Sequence, residues 1–269
     1  MTAYLNHFNL EFRTGLRNST QLLMNYLFPL AFYAMMGLVM TQINPGFKQA
    51  LVPAMVVFCA MTATVLALPG PLVESREAGI YRSYKINGVP ALAILSMPAL
   101  SAGLHVLIVT VIIMLTGPAL FGGVAPASWG AFVIITLVTV FTFAALGALI
   151  GVVCSDTRST VLYSQLVFLP SMLLGGLMLP ISLLPASVAR FAGLLPPAHA
   201  MQAFTGLAFG QAATFDPVRS LIILGSSGLL ALILAVYLFN WDSRNQARRG
   251  HPLMALLVLV PYLVGIALS

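Results

Sequence analysis

The sequence predicts an all-α fold, a polytopic membrane helix bundle in one domain, and three observations predict it. The 269 residues are 60% hydrophobic with a mean hydropathy of +1.01. Only 7% are charged, whereas a water-soluble domain carries about 25%. The apolar runs last about 20 residues, the length that crosses a hydrocarbon layer roughly 30 Å thick. We therefore expect a single transmembrane domain over residues 1–269, with six core spans and no soluble domain.

The first segment, residues 1–18, is predicted to be an amphipathic helix that lies in the membrane surface. Its side chains separate by helical spacing into an apolar face and a polar remainder. The apolar face comprises Leu5, Phe8, Phe12 and Leu16, and the polar side chains are Asn6, Asn9, Arg13 and Arg17. Because no short apolar core precedes a small-residue cleavage site, we expect this segment to stay attached.

Six apolar runs and one shorter tail follow. The predicted spans are residues 20–40, 50–72, 91–116, 131–154, 160–179 and 220–240. The tail, residues 252–269, is at the lower limit of length for crossing a bilayer. We favour a short seventh span there; the alternative is an apolar helix in the interface or against the bundle, bent at Pro261.

The basic residues predict the orientation. Nine Lys and Arg lie in four segments, which are the N-terminal segment, residues 73–90, "CSDTRST" and "WDSRNQARRGHP"; the other connections hold only Lys48, Arg190 and Arg219. Cytoplasmic loops hold the excess of Lys and Arg, so the N-terminus is expected in the cytoplasm. The basic residues form no long stripe, and nucleic acid is not an expected partner.

The spans are predicted to lack charged side chains, and this absence restricts the function. Ion-driven carriers normally use carboxylates or histidines inside the membrane. His105 is the one candidate, and we interpret it as a packed, hydrogen-bonded helix residue. No catalytic or metal-binding motif is present, and Cys59 and Cys154 have no CxxC spacing. The chain is not expected to be an enzyme, and since it has no GxxxxGK[ST] loop, a partner would have to bind ATP.

The polar segment, residues 73–90, is the largest predicted cytoplasmic feature. It holds Glu74, Arg76, Glu77, Arg82 and Lys85, five of the eighteen charged residues. If residues 74–85 form one helix, one face carries Glu77, Ile80, Tyr81 and Tyr84, and the other carries Arg76, Gly79, Arg82 and Ser83. Such a helix suits docking of a partner, although an ordinary solvated loop on the head groups is the alternative.

Two stretches, "ESREAGIYRSYKINGVP" and "GGLMLPISLLPASVARFAGLLPPAHAMQAF", carry glycines and prolines in a characteristic order. Both resemble segments of one family, the membrane permeases of bacterial type II ATP-binding-cassette (ABC) exporters. The stretch "ESREAGIYRSYKINGVP" is similar to that family's connection between spans two and three, with Glu77 and Gly79 at its Glu-x-Gly positions. The stretch "GGLMLPISLLPASVARFAGLLPPAHAMQAF" matches the family's order of Gly and Pro before span six. We expect the prolines to break span five and to form re-entrant helices in the Pro-rich segment, residues 180–217.

The resemblance implies a transport subunit of the bacterial or archaeal cell membrane that dimerises with itself or with a similar permease. ABC ATPase subunits would bind ATP and Mg, with no cofactor on this chain, and drive export. The implied ATPase contacts are Glu74, Arg76, Glu77, Gly79, Tyr81, Arg82, Tyr84 and Lys85. The implied outer gate comprises Gly175, Gly176, Pro180, Pro185, Pro197 and His199.

Three further expectations come from the residues themselves. Possible hydrogen-bonding groups along a pathway walled by spans one, two and five are Asn25, Tyr26, Thr62, Thr64, Ser164 and Gln165. They suit an amphiphilic, lipid-like or drug-like substrate, and a polysaccharide remains an alternative.

Gly147 and Gly151 form GxxxG, for which packing within one subunit and dimerisation are equally expected. The competing function is a non-transporting membrane anchor that docks a soluble partner.

Overall fold

A computed structural model describes residues 2–242 and 250–267, with side chains from Phe8 onward. This part of the chain forms helices and turns and contains no strand, which confirms the all-α prediction. The helices are α1 Thr2–Arg17, α2 Ser19–Ile43, α3 Phe47–Glu77, α4 Ile80–Ile86, α5 Ala91–Phe121, α6 Trp129–Val153, α7 Thr157–Leu174, α8 Ala186–Ala192, α9 Pro196–Ala203, α10 Pro217–Leu238 and α11 Val260–Ala267.

Five of these helices are long and apolar enough to cross a membrane, namely α2, α3, α5, α6 and α10. The predicted fifth span, residues 160–179, corresponds to α7, which has 18 residues, carries Arg158 in its first turn and ends at Leu174. Eighteen helical residues extend roughly 27 Å, slightly less than the hydrocarbon layer. The helix ends five residues before the predicted boundary because the chain turns at Gly175 and Gly176.

Side-chain caps fix where several helices begin. The Asn18 side chain accepts hydrogen bonds from the backbone N–H groups of Thr20 and Gln21 at the start of α2. Asp156 and Ser159 form a reciprocal capping box at the start of α7. Such side chains satisfy backbone donors that a first helical turn leaves unpaired.

Helix α3 lies at the centre of the bundle. In its most apolar stretch 89% of the residues are buried, against 28% in α2, so α2 is largely peripheral. A Cβ added at Gly147 of α6 would lie 2.1 Å from the Thr64 carbonyl oxygen of α3, and one at Gly151 would meet Leu72 and Pro69. The GxxxG pair therefore brings α6 against α3 within one subunit.

Helix α10 packs along α6 on the other side. The Thr142 hydroxyl of α6 donates a hydrogen bond to the Leu224 carbonyl oxygen of α10, at 3.0 Å. A Cβ at Gly228 would lie 2.6 Å from the Thr142 hydroxyl, so the two backbones approach closely at this point. Small residues permit such contacts between membrane helices.

The described parts of the four segments rich in Lys and Arg lie at one end of the bundle. Arg76 of the polar segment reaches carbonyl groups at the end of α6, and Arg82 binds Asp242 after α10. Glu11 of α1 lines a cleft together with Tyr81. Three of the arginines predicted at this end, Arg244, Arg248 and Arg249, lie outside the described residues.

The C-terminal tail runs antiparallel to α10. A Cβ at Gly250 would meet Tyr237 in the last turn of α10, and one at Gly265 would meet Ile223 near its start. The eight 3₁₀ residues Pro252–Leu259 and the eight residues of α11 extend about 28 Å, since a 3₁₀ turn rises about 2.0 Å per residue. The tail thus both packs against the bundle and follows nearly all of α10.

Pro261 lies where the tail changes its helix type. It lies in the first turn of α11, directly after the change from 3₁₀ to α-helix at Val260. Leu268 and Ser269, the end of the predicted tail, lie outside the described residues.

Candidate functional site

The polar segment forms parts of two helices, and so neither the single helix nor the solvated loop that the sequence left as alternatives. Helix α3 continues to Glu77, Ala78 ends it, and α4 begins at Ile80. Gly79 between them has φ +76°, a left-handed conformation that glycine adopts without strain. The Glu-x-Gly pattern therefore marks the corner at which the chain turns from α3 into α4.

Arg76 faces the protein interior, which corrects its predicted role as a partner contact. Its residue is 5% exposed, and its guanidinium donates hydrogen bonds to the carbonyl oxygens of Val152, at 3.1 Å, and of Cys154. These carbonyls lie at the C-terminal end of α6, where a helix leaves acceptors unpaired and favours positive charge. Arg76 therefore joins the end of α3 to the end of α6.

Tyr81 also turns inward, so the predicted aromatic docking face is wrong at this residue. It is 4% exposed, and its ring centroid lies 5.5 Å from that of Phe239, just after α10. Burial raises the pKa of the Tyr81 hydroxyl, and the negative charge of Glu11 raises it further. Tyr84 is half-buried beside it. The aromatic side of α4 thus attaches this helix to the bundle.

The charged side of α4 and the adjoining turns remain on the surface. Glu74, Glu77 and Lys85 are exposed. Arg82 forms an ion pair with Asp242 at 2.7 Å while its side chain stays 45% exposed. Of the eight predicted partner contacts, the structure leaves these four charged residues accessible, with Gly79 and Tyr84 half-buried between them.

The Pro-rich segment forms short helices, as predicted from its prolines. Pro180 precedes a 3₁₀ turn, Ile181–Leu183, and Pro185 precedes α8. Gly175 is buried against Pro197, because a Cβ there would lie 2.7 Å from Pro197 Cγ, and Gly176 has φ +84°. The two glycines reverse the chain after α7 and allow α9 to pack on it.

His199 fixes the interior of this segment. Its Nε2 lies 2.8 Å from the Gly193 carbonyl oxygen, and its ring packs between Phe215 and Tyr262. Gln202 accepts hydrogen bonds from the backbone N–H groups of Thr214 and Phe215. The sequence reasoning missed Gln202 and Tyr262, although a glutamine within an apolar stretch is a signal worth following.

The predicted pathway residues separate into three sets. Thr62 and Thr64 are fully buried, and their hydroxyls donate to the Cys59 and Ala60 carbonyl oxygens of their own helix, so neither lines an opening in one subunit. On α7, Ser164 is buried and Gln165 is half-buried. Asn25 and Tyr26 lie beside a cleft at the polar-segment end.

This α1–α4 cleft has a volume of about 180 Å³ and is bounded by α1, α2, α3, α4 and α5. Its polar lining includes Glu11, Asn25, Ser75, Tyr81, Ser101 and His105. His105 Nδ1 lies 2.6 Å from the Tyr26 hydroxyl, and Phe12 stacks on its ring at 4.6 Å. His105 is therefore a packed, hydrogen-bonded residue, as predicted, and it holds α1 against α5.

Comparison with protein families tests the resemblance that these elements suggest. A model described as "ABC-2 family transporter protein" matches residues 13–237, most of the chain. The chain belongs to this family.

A relative supports the same assignment. A protein of Bacillus subtilis (strain 168), named "Putative transport permease YvfS", is 24% identical over 232 residues, which cover 85% of this chain and 93% of the relative. This chain is therefore an ABC-2 permease subunit, a multi-pass membrane protein of a transport system whose family implies association with ABC ATPase subunits.

The family match ends before the C-terminal tail begins. Residue 237 is in the last turn of α10, so the tail against α10 lies beyond the matched region. Its Tyr262 nevertheless contacts His199 within the predicted gate. The tail thus packs against a part of the fold that the family match includes.

Proposed function

We propose that this ABC-2 permease exports an amphiphilic, lipid-like or drug-like substrate across a bacterial or archaeal cell membrane. Separate ABC ATPase subunits bind ATP and Mg and drive the cycle. Helices α2, α5 and α6 contain no Lys, Arg, Asp or Glu, and those of α3 and α10 lie near the helix ends. The energy therefore enters from outside the membrane, because ion-coupled transport needs ionisable groups within it.

The polar segment is the observation that carries the proposal. Helix α4 exposes Lys85 and Arg82, with Glu74 and Glu77 beside it, to any partner below. The corner before it is attached to α6 through Arg76, and α4 itself is attached to α10 through Tyr81 and Arg82. A partner that moves α4 would thus act on two membrane helices through short, defined contacts.

The proposed cycle needs two states with different contacts. ATP binding closes the ATPase pair, α4 moves with it, and the Pro-rich segment opens at the other end of α10. Such a shift requires the ATPase to bind the polar segment with different affinity in each state. The polar segment and the N-terminus are cytoplasmic in this proposal, as the distribution of Lys and Arg predicts.

We further propose a dimer around the pathway, either of two copies or with a similar permease. Helix α2 exposes large apolar side chains along its length, including Leu27, Leu38 and Ile43, and α7 exposes Leu162, Leu166 and Leu173. These two helices contain Tyr26, Ser164 and Gln165, which were predicted along the pathway. Closed two-fold symmetry is the usual arrangement for such subunits.

Charge reversal on the polar segment tests the proposal. Glu77→Arg should leave the permease in the membrane and abolish most of the substrate-stimulated ATP hydrolysis of the assembled transporter. Glu77 is exposed at the end of α3, so its reversal should leave the bundle intact. Arg190→Glu, an exposed reversal at the other end, is the matched control and should leave coupling unchanged.

Unchanged ATP hydrolysis in Glu77→Arg would contradict the proposed docking site. Co-purification separates the competing anchor function: a soluble partner without a phosphate-binding Gly-Lys-Ser/Thr loop would favour the anchor. A partner with that loop, and vesicles that accumulate substrate only when ATP is supplied, would favour export.

A further inference from the structure

A second cleft lies at the end of the bundle opposite the polar segment. This α3–α9 cleft has a volume of about 190 Å³ and lies between the start of α3, the turn after α7 and the loop that follows α9. It shares no lining residue with the α1–α4 cleft. Its polar lining comprises Gln49, Ser182, Gln202, Thr205, Gln211 and Thr214.

Gln202 presents hydrogen-bond donors to this cleft. The residue is 6% exposed, and its Oε1 accepts hydrogen bonds from the backbone N–H groups of Thr214 and Phe215, at 2.5 and 3.2 Å. These two bonds fix the orientation of the amide, since only the oxygen of a glutamine accepts hydrogen bonds. Among the described residues its Nε2 has no partner, yet it is not enclosed as His199 Nδ1 is. Two N–H donors are therefore left for an occupant of the cleft.

Local backbone geometry brings further polar groups to the same place. Thr205 lies in a π-helical turn, Phe204–Ala208, that continues α9. Single π-helical turns within helices occur frequently at functional sites. The Gln211 N–H donates a hydrogen bond to the Thr205 carbonyl oxygen, at 2.9 Å, and this bond returns the loop after the turn to the cleft. Thr205 and Gln211 thus line the cleft together with Gln202.

The lining of the α3–α9 cleft is polar but uncharged, with no Lys, Arg, Asp or Glu among its described residues. An ionic group held there would lose hydration without gaining an opposite charge, which costs free energy. Glutamine amides and the hydroxyls of Ser and Thr both donate and accept hydrogen bonds, as the hydroxyls of an occupant do. The remaining wall is apolar and suits C–H groups; it includes Pro53, Ile181, Met201 and Phe209.

We propose that the α3–α9 cleft binds an uncharged, hydroxyl-rich group of the sugar class. The Gln202 amide donates to a hydroxyl oxygen, Gln49 and Gln211 bind neighbouring hydroxyls at the rim, and the apolar wall packs against the ring. The cleft accommodates a single ring rather than a chain of them. This inference names the polar part of the transported amphiphile, and it rests on the proposed function, in which the Pro-rich segment beside the cleft opens.

A binding experiment on the permease alone tests the site without any ATPase. The purified full chain in phosphatidylcholine nanodiscs is titrated with hexyl β-glucoside, and hexanol, hexyl sulfate and hexyltrimethylammonium are the comparison probes. The glucoside should bind about tenfold more tightly than any of the three, because only it satisfies the polar lining. Equal binding of hexanol, or tighter binding of either ion, would overturn the proposal.

Gln202→Glu removes the donors and keeps the acceptor. The carboxylate still offers an oxygen to the Thr214 and Phe215 N–H groups, so amide hydrogen exchange at these two residues should stay slow. Glucoside binding should nevertheless weaken by about tenfold, as loss of a hydrogen bond inside a cleft predicts. Binding at the wild-type level in this variant would contradict the proposal.

A second variant keeps the test independent of folding. Gln49 is exposed at the start of α3, so Gln49→Leu should leave the unfolding temperature unchanged, weaken glucoside binding several-fold and leave hexanol binding as it was. Gln42→Leu, at an exposed position near the end of α2 and outside the cleft lining, is the matched control and should bind as the wild type does. Equal weakening by the two variants would overturn the assignment of the site.

The length of the alkyl chain distinguishes the source of the sugar group. If hexyl β-glucoside binds more tightly than methyl β-glucoside, the cleft holds the head group of an amphiphile, which supports the proposal in full. Equal affinity would overturn the link to an amphiphilic substrate and assign the cleft to a free sugar. Since binding is measured on the isolated permease, failure of the cleft and failure of ATPase coupling in Glu77→Arg are separate results.

Discussion

A segment of short helices lies at each end of α10, and the two segments differ in whether their polar side chains are exposed or buried. At one end, α4 rests on the bundle through Tyr81 and Arg82 and leaves a charged surface exposed. At the other end, His199 and Gln202 of the Pro-rich segment are buried and hydrogen-bonded to their own loop, with Tyr262 covering them. The α4 end leaves charged groups exposed, whereas the Pro-rich end buries its polar side chains, of which His199 Nδ1 has no hydrogen-bond partner in the described part of the chain.

The two ends therefore differ in what they expose, and two closely packed helices connect them. Helices α6 and α10 are in close contact at Thr142 and Gly228 and connect the two ends. A displacement of α4 therefore has a direct route to the Pro-rich segment, whereas that segment has no comparable exposed charged surface of its own among the described residues. Contacts within the bundle at the α4 end should matter most for this connection.

The largest expected effect concerns Arg76. Arg76→Ala removes a buried guanidinium and leaves carbonyl groups at the end of α6 without their donor, so the free energy of unfolding should fall by about 3 to 4 kcal/mol. Thermal unfolding of the purified permease measures the change. Transport should also be lost, because the Arg76 hydrogen bonds no longer fix the end of α3 to the end of α6.

Arg82→Ala is the matched control at the same end. Its ion pair with Asp242 is largely exposed, and exposed pairs contribute about 0 to 1 kcal/mol. The stability should therefore hardly change, while coupling to the ATPase is reduced. Equal destabilisation by the two arginine variants would contradict the distinction between an internal clamp and a surface contact.

A smaller effect is expected at the opposite end. Tyr262→Ala empties a fully buried site beside His199, and the free energy of unfolding should fall by about 2 to 3 kcal/mol. Amide hydrogen exchange should rise in residues 193–204 and stay unchanged in α4. Leu263→Ala, at a 53% exposed position, should alter neither the stability nor the hydrogen exchange. An equal rise in exchange in both variants would contradict the conclusion that Tyr262 covers His199.

Composition and periodicity were sufficient for much of the fold. The runs at 91–116 and 131–154 correspond closely to α5 and α6, since long apolar stretches determine membrane helices. The end of α7 was placed five residues too late, because two glycines turn the chain inside an uninterrupted apolar run. Likewise, Gly79 divides a stretch whose charges suggest a single helix.

The site was harder to predict because the direction in which a side chain faces depends on tertiary packing. Helical spacing assigns Arg76 and Tyr81 to opposite faces of one helix, but Gly79 places them on two helices, and both face the bundle. The sequence also gives no sign that Asn25, Glu11 and His105 meet in one cleft, since they lie on three helices. Tyr262 belongs to a tail whose packing depends on a 3₁₀ conformation that its apolar residues do not signal.

The smallest expected effect concerns the exposed cap of α7, at the same end as α4. The Ser159 N–H and the Ser155 hydroxyl donate hydrogen bonds to the Asp156 carboxylate and lower its pKa. A lowered pKa means that the charged cap stabilises the fold above the unfolded-state pKa of about 4, and this contribution disappears as the pH falls through the folded-state value. Asp156→Asn keeps a capping oxygen but cannot ionise, so it should unfold at a slightly lower temperature than the wild type at pH 7. The two proteins should then converge near pH 3, and a difference that persists there would assign the effect to cap geometry rather than to charge.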